Sequence, residues 1–178
     1  MNVVDAHSRA ISVLFVCTGN ICRSPTAEGV FRALASRAGL ASTVRAESAG
    51  THGFHVGAPP DRRAVLAARK RGYDIATLRA RVFSPDHYNR FDWIVAMDEV
   101  NLRVLTGLRP TGFAGHLGLL MHFVSDAQSH EIPDPYYGGP EGFERVLDLV
   151  ERASEALLLH VVRAFKENAA LVERREGR

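Results

Sequence analysis

The strongest constraint on the fold is an apolar run at residues 11–17, Ile-Ser-Val-Leu-Phe-Val-Cys. A nearly continuous run of apolar and β-branched residues is typical of a strand that is covered on both faces. Proline follows at position 25, and apolar residues then recur at helical spacing until Gly39. Proline at the first helical position and glycine just beyond the end are favoured start and stop signals. These residues therefore predict a buried strand followed by a helix that begins at Pro25.

The same alternation continues along the chain. Further strands are predicted at 43–49, 91–97 and 119–124. Further helices are predicted from Asp61 to Gly72, from an Asp98 cap to Leu105, and over an amphipathic stretch at 143–165. Strands that alternate with helices favour right-handed crossovers and a parallel sheet, so we expect one α/β domain. Its bounds are 1–178, with an N-terminal extension at 1–10 and a charged, frayed tail at 167–178.

Composition and charge limit the classes of function. The chain has 178 residues, 46% apolar and 24% charged, and its 22 basic and 20 acidic residues leave a net charge of +2. This balance gives no support for nucleic-acid binding, and no apolar run approaches the length of a membrane span. The first apolar run is too short and strand-like for a signal peptide, so we expect a cytoplasmic protein, with export by another route left open. The eight histidines show no zinc-ligand spacing, so no metal site is expected.

A cysteine and an arginine stand at the two ends of the loop after the first strand. Cys17 ends the strand, and Arg23 follows six positions later, just before the helix. A helix N-terminus stabilises both a thiolate and a bound oxyanion, and a planar guanidinium can donate to two phosphate oxygens. The pair therefore predicts phosphoryl transfer through a cysteine nucleophile. The simpler interpretation, a buried core thiol at a strand end, stays open at this point.

The residues between them suit the same ligand. The N–H groups of the loop can turn inward as a phosphate nest, and they belong to Thr18, Gly19, Asn20, Ile21 and Cys22. Gly19 and Asn20 best tolerate the left-handed backbone that such a nest requires. The hydroxyl of Ser24 can donate to the Cys17 sulfur, which favours the thiolate.

A second candidate group lies far along the chain, in Ile-Pro-Asp-Pro-Tyr-Tyr-Gly at 132–138. A phosphate ester needs its leaving oxygen protonated, and Asp134 can supply the proton. Prolines on both sides restrict its backbone, and Tyr136 and Tyr137 can wall a pocket for an aromatic ring. Taken alone, a Pro-Asp turn with solvated tyrosines is the better interpretation. Together with the loop at 17–24, the catalytic interpretation is favoured.

The chain resembles the low-molecular-weight protein tyrosine phosphatases. The matching segments are VLFVCTGNICRSPTAE at 13–28, SAGT at 48–51, AMDE at 96–99 with NL at 101–102, and DPYYG at 134–138. They occur in the family's order and span nearly the whole domain. The resemblance implies a single domain with a four-stranded parallel sheet flanked by helices on both faces. It also implies hydrolysis of phosphotyrosine and small aryl phosphates on protein substrates, without a metal or organic cofactor. A tyrosine kinase of the same cell is one candidate substrate.

The resemblance also implies roles for the matched residues. Cys17 is similar to the family's nucleophile, which forms a phosphocysteine intermediate, and Arg23 to its phosphate clamp. Asp134 is similar to the residue that acts first as general acid and then as general base. The remaining roles support the loop: Asn20 holds its shape, Ser24 lies near the sulfur with Ser48 as its partner, and Cys22 traps oxidised Cys17 as a reversible disulfide.

One wall residue departs from the family's pattern. Phe54 stands where many tyrosine-specific members have Trp, so its ring either stacks on phosphotyrosine or anchors its own loop. We interpret the neighbouring His52 and His55 as solvated loop histidines.

Three alternatives compete with a tyrosine phosphatase. Relatives that reduce arsenate use further cysteines downstream, and no cysteine follows Cys22. Relatives that dephosphorylate arginine carry Thr in place of Ile21 and a different ring in place of Tyr136, so phosphotyrosine is favoured. A non-catalytic phosphopeptide-binding module would need neither a thiol nor a carboxyl group, and both are present.

Overall fold

A computed structural model describes residues 10–176, with side chains described through Glu167. The strands are β1 (Ile11–Cys17), β2 (Val44–Gly50), β3 (Trp93–Ala96) and β4 (His116–Leu119). The α-helices are α1 (Arg23–Arg37), α2 (Arg62–Lys70), α3 (His87–Arg90), α4 (Glu99–Leu108) and α5 (Pro140–Glu176), and Leu120–Phe123 form a 3-10 helix. The predicted extension lies outside the described residues except for Ala10, as do the last two residues of the tail.

The strands form one parallel sheet in the order β2-β1-β3-β4. Cys17 at the end of β1 pairs with Gly50 of β2, and Val16 pairs with Ala96 of β3. The chain crosses from β1 to β2 on one side and later returns to β3 on the other side of β1. Ligands of open parallel sheets bind at the carboxyl ends of the strands where the strand order reverses. That point is the end of β1.

Alternation along β1 separates two apolar layers. Val13 and Phe15 pack in one buried cluster with side chains of α1, α2 and α5. Leu14 and Val16 face the opposite cluster, which contains side chains of α3 and α4. Helices therefore flank both faces of the four-stranded parallel sheet, as predicted. None of the helices in the described part of the chain combines the length and apolar content needed to cross a bilayer.

The fourth strand lies earlier than predicted. β4 pairs with β3 from His116 to Leu119, and the apolar segment predicted as a strand at 119–124 forms the 3-10 helix instead. A short apolar run has no period that distinguishes a strand from a buried turn of helix, which explains the error.

Two helix boundaries also differ from the predictions. α1 begins at Arg23, so Pro25 is its third residue, where its missing N–H would have no intrahelical partner. α5 begins at Pro140 and its backbone continues to Glu176, so it is longer at both ends than the predicted stretch at 143–165. The short α3 is absent from the predictions. Asp98 caps α4 as predicted, accepting a 2.7 Å hydrogen bond from the Asn101 amide.

Candidate active site

The loop after β1 lies at the carboxyl edge of the sheet and forms the floor of a cavity of about 380 Å³. Cys17 and Arg23 both line this cavity, although each is only 2% exposed. Asp134 enters from the loop before α5 and lines the same cavity. The three side chains predicted from the sequence to be catalytic therefore meet in one cavity. A larger cavity, about 660 Å³, lies at the amino ends of the strands, and no cysteine lines it.

The backbone of the loop is shaped by one residue in the left-handed region. Asn20 has φ of 55°, the only positive φ of a non-glycine residue in the described range. Gly19, predicted to share this conformation, does not have positive φ. Its lack of a side chain matters for another reason, because a Cβ atom would lie 3.0 Å from the His55 ring. Gly50 backs the loop equally closely, since a Cβ there would lie 2.7 Å from the Thr18 carbonyl oxygen.

A chain of buried hydrogen bonds connects the Cys17 sulfur to a carboxylate. Cys17 Sγ lies 3.0 Å from Ser24 Oγ. Asn20 Nδ2 donates to Ser24 Oγ at 2.8 Å and to Ser48 Oγ at 2.9 Å, and Ser48 Oγ donates to Glu28 Oε2 at 2.6 Å. Ser48 thus supports Ser24 through Asn20 rather than by direct contact. Asn20 and Ser24, predicted to bind substrate, do not line the cavity, because their side chains are buried in this hydrogen-bond chain.

The order of donors and acceptors in this hydrogen-bond chain favours a thiolate at Cys17. Ser48 donates its only hydroxyl hydrogen to Glu28, and Asn20 donates one amide hydrogen to each of the two serines. Ser24 accepts from Asn20, so its own hydrogen is available to the Cys17 sulfur, or to the Ala49 carbonyl at the longer distance of 3.3 Å. A hydroxyl that donates to sulfur stabilises the thiolate form.

Glu28 sits at the far end of this chain. Burial raises the pKa of Glu28, while the hydrogen bond from Ser48 and the charge of Arg32 oppose the rise. Arg32 Nη2 lies 2.8 Å from Glu28 Oε1. Sequence reasoning missed Glu28, which was read only as part of the first segment of the resemblance.

Two carboxylates hold the Arg23 guanidinium. Arg23 Nη1 donates to Asp98 Oδ2 at 2.5 Å and to the Ile132 carbonyl at 3.1 Å. Arg23 Nη2 donates to Asp134 Oδ2 at 2.8 Å and to Thr18 Oγ1 at 3.3 Å. Burial disfavours the cation, but the Cys17 sulfur and the bond to Asp98 outweigh it and raise the pKa of Arg23. The guanidinium is therefore charged at neutral pH.

The geometry leaves one edge of Arg23 for a ligand. Nε makes no hydrogen bond to any described residue, and Nη2 is shared with Asp134, whose side chain is 47% exposed. A phosphate bound by Nε and Nη2 would take the place of Asp134 on Nη2. Asp98, predicted only as a helix cap, fixes the opposite edge as well as capping α4. Its position directly after a buried strand was the available signal for this second role.

Aromatic side chains form the upper wall of the cavity. Tyr136 is 38% exposed and packs edge-on against Tyr137, with ring centroids 5.0 Å apart. Phe54 is 73% exposed and stacks on the exposed ring of His52 at 5.1 Å. Of the two neighbouring loop histidines, His52 is exposed, and His55 is half-buried and lines the cavity. The His55 ring packs over Gly19.

The second cysteine is a buried thiol beside the nucleophile. Cys17 and Cys22 are both free and both line the cavity. Burial raises the pKa of Cys22 strongly, and the nearby charge of Asp61 adds to the rise. Cys22 therefore stays protonated at neutral pH and is not a competing nucleophile.

The sequence is similar to those of known proteins over most of its length. The sequence model of the family described as low molecular weight phosphotyrosine protein phosphatase matches residues 12–170. A low molecular weight protein-tyrosine-phosphatase of Streptomyces coelicolor is 46% identical over 163 residues, which cover 89% of this chain and 98% of the relative.

Solved structures share the fold over the same range. A protein tyrosine phosphatase from Entamoeba histolytica superposes with a TM-score of 0.84 at 35% identity, covering 87% of this chain and 99% of its own. YfkJ from Bacillus subtilis superposes with a TM-score of 0.83 at 38% identity, covering 88% and 97%. The predicted fold class and family resemblance are confirmed.

Proposed function

The chain belongs to the low molecular weight phosphotyrosine protein phosphatase family, and from that premise we propose how its residues divide the hydrolysis of phosphotyrosine. The observation that carries the proposal is the meeting of Cys17, Arg23 and Asp134 in one cavity, with 2.8 Å between Arg23 Nη2 and Asp134 Oδ2. A nucleophile, a guanidinium and a carboxyl group are the parts that a two-step phosphoryl transfer requires.

In the first step, the Cys17 thiolate attacks the phosphorus atom and forms a sulfur–phosphorus bond. The bond from phosphorus to the tyrosine oxygen breaks, and protonated Asp134 gives its proton to that oxygen. Arg23 and the N–H groups of the loop stabilise the charge on the other three phosphate oxygens. The step ends with free tyrosine side chain and a phosphocysteine.

In the second step, the Asp134 carboxylate takes a proton from a water molecule, which attacks phosphorus and releases phosphate. The sulfur leaves as a thiolate, and the Ser24 hydroxyl at 3.0 Å stabilises it. These steps use side chains of this chain and water only. Phe54, Tyr136 and Tyr137 provide aromatic surface for the substrate ring.

Phosphoproteins are the substrates that the family implies, and we propose that a tyrosine kinase of the same cell is one of them and that the enzyme works in the cytoplasm. Peptides carrying phosphotyrosine, phosphoarginine or phosphoserine, compared by kcat/KM, test the substrate class. We expect turnover of the phosphotyrosine peptide and loss of it in Cys17→Ser. Preferred turnover of phosphoarginine would instead make the enzyme an arginine phosphatase, and normal turnover by Cys17→Ser would remove the nucleophile.

A further inference from the structure

Arg63 lies outside the cavity lining but touches the loop that carries Asp134. Its side chain extends from the first turn of α2. Arg63 Nη2 donates to the Tyr136 carbonyl at 3.0 Å, and Nη1 donates to the Gly138 carbonyl at 3.1 Å. Both carbonyls belong to the segment 134–138, so one guanidinium holds two points of the acid-bearing loop.

The guanidinium itself is held in place from two sides. Asp61 accepts hydrogen bonds from Arg63 Nε at 3.1 Å and from Arg63 Nη2 at 2.9 Å. The planar group lies over the Phe143 ring, 4.7 Å from its centroid, and over the Tyr136 ring at 5.7 Å. A bidentate carboxylate and stacked rings suit arginine and cannot be reproduced by lysine.

Asp61 also contacts the loop that carries the nucleophile. The Asp61 amide donates to the Ile21 carbonyl at 2.7 Å. The hydrogen bonds to Arg63 lower the pKa of Asp61, so this carboxylate is ionised at neutral pH. Asp61 and Arg63 therefore form one unit that is bonded to the phosphate loop on one side and to the acid loop on the other.

The segment 134–138, which carries Asp134, depends on the unit formed by Asp61 and Arg63 most when substrate is bound. In the structure, the Asp134 carboxylate is held by Arg23 Nη2. A phosphate on Arg23 would displace that contact. Another hydrogen bond of the Asp134 carboxylate, from the Tyr136 amide at 3.2 Å, moves with the loop itself. Arg63 then holds the segment 134–138 through its bonds to the Tyr136 and Gly138 carbonyls, while Arg23 keeps its bond to the Ile132 carbonyl just before the segment.

We propose that Arg63, oriented by Asp61, is a positioning residue that sets the place of the Asp134 carboxyl group over Cys17 for protonation of the leaving oxygen. The inference rests on the proposed function, because it assumes that Asp134 is the acid. A general acid contributes roughly 10²–10⁴-fold to rate, so a misplaced acid loses part of that factor.

The test measures kcat/KM across aryl phosphates whose phenols differ in pKa. Dinitrophenyl phosphate needs little protonation of its leaving group, whereas phenyl phosphate needs it fully. We expect Arg63→Ala to lower kcat/KM about tenfold or more on phenyl phosphate and less than about twofold on dinitrophenyl phosphate. Arg63→Lys should fall between Arg63→Ala and wild type. Arg62→Ala is the matched control, because Arg62 neighbours it on α2 and makes no hydrogen bond or ion pair with the described residues.

Asp134→Ala distinguishes a failure of this inference from a failure of the proposed function. If Asp134→Ala steepens the dependence on phenol pKa and Arg63→Ala does not, the inference is overturned and the acid role stands. If Asp134→Ala also leaves the dependence unchanged, the acid role falls and the inference with it. An equal loss by Arg63→Ala on every substrate would show a general structural role and overturn the inference. When Arg63→Ala is combined with Asp134→Ala, it should cause no further loss of kcat/KM on phenyl phosphate. Additive losses would contradict the inference.

Discussion

Substitution of Asn20 tests how the phosphate loop holds its shape. Asn20 is 2% exposed and makes three hydrogen bonds: it donates to Ser24 and Ser48, and its Oδ1 accepts from the Arg81 amide at 2.9 Å. Each bond contributes about 1 kcal/mol, so Asn20→Ala should lose about 3 kcal/mol from these bonds. The φ of 55° adds about 1–2 kcal/mol of strain for alanine.

Asn20→Gly separates the two contributions. Glycine loses the same three hydrogen bonds but adopts positive φ without strain, at the cost of about 0.4–1 kcal/mol from its freer unfolded chain. We expect Asn20→Ala to lower the free energy of unfolding by about 4–5 kcal/mol, and Asn20→Gly by roughly 0.5–1 kcal/mol less.

Urea denaturation with a common m-value measures both differences. The exposed Asn89 offers a control, since Asn89→Ala should change stability by less than about 0.5 kcal/mol. A loss below about 1 kcal/mol in Asn20→Ala would refute the hydrogen-bond reasoning. A glycine variant less stable than the alanine variant would refute the conformational reasoning.

Three further predictions concern charge in the site and in the fold. Arg23→Lys should lower kcat/KM by about 10²–10³-fold, because a point charge cannot grip two phosphate oxygens, and near-normal kinetics would exclude the clamp. Ser24→Ala removes the hydroxyl that lies 3.0 Å from the Cys17 sulfur and stabilises the leaving thiolate, so phosphocysteine should be hydrolysed more slowly; an unchanged rate of the second step in rapid-quench measurements would contradict that role. Burial lowers the pKa of His116, and His122 and His160 lower it further. The folded state therefore favours neutral His116, and its stabilising contribution, complete above a pH of about 6.5, is lost as pH falls below that value. Urea denaturation should show a lower free energy of unfolding at pH 5 than at pH 7 in wild type, and a smaller decrease in His116→Asn. An equal decrease in the two proteins would contradict the prediction.

The local pattern around β1 was predictable because every signal there agrees. A continuous apolar run must be covered on both faces, and a cysteine at its end must then lie at the carboxyl edge of the sheet. The positions of Cys17 and Arg23 in one cavity follow from the short loop that joins them at the end of β1.

Contacts between distant segments were not predictable in the same way. Asp98 lies 75 residues from Arg23 in sequence, and only the pairing of β1 with β3 brings the two together. Arg63 reaches the acid loop over a similar separation, and as one arginine of a charged helix it shows no local pattern. The predicted position of β4 was wrong for a different reason. The apolar run at 119–124 fits a buried strand and a buried helical turn equally well.

The most direct measurement is a rapid acid quench during a single turnover, followed by mass spectrometry of the peptide that contains Cys17. With dinitrophenyl phosphate, whose leaving group needs little protonation, Asp134→Ala should form the intermediate but hydrolyse it slowly. The account predicts phosphate bound to the Cys17 sulfur early in the reaction, in greater amount in that variant than in wild type. Turnover with no phosphate on Cys17 at any time, in either protein, would contradict it.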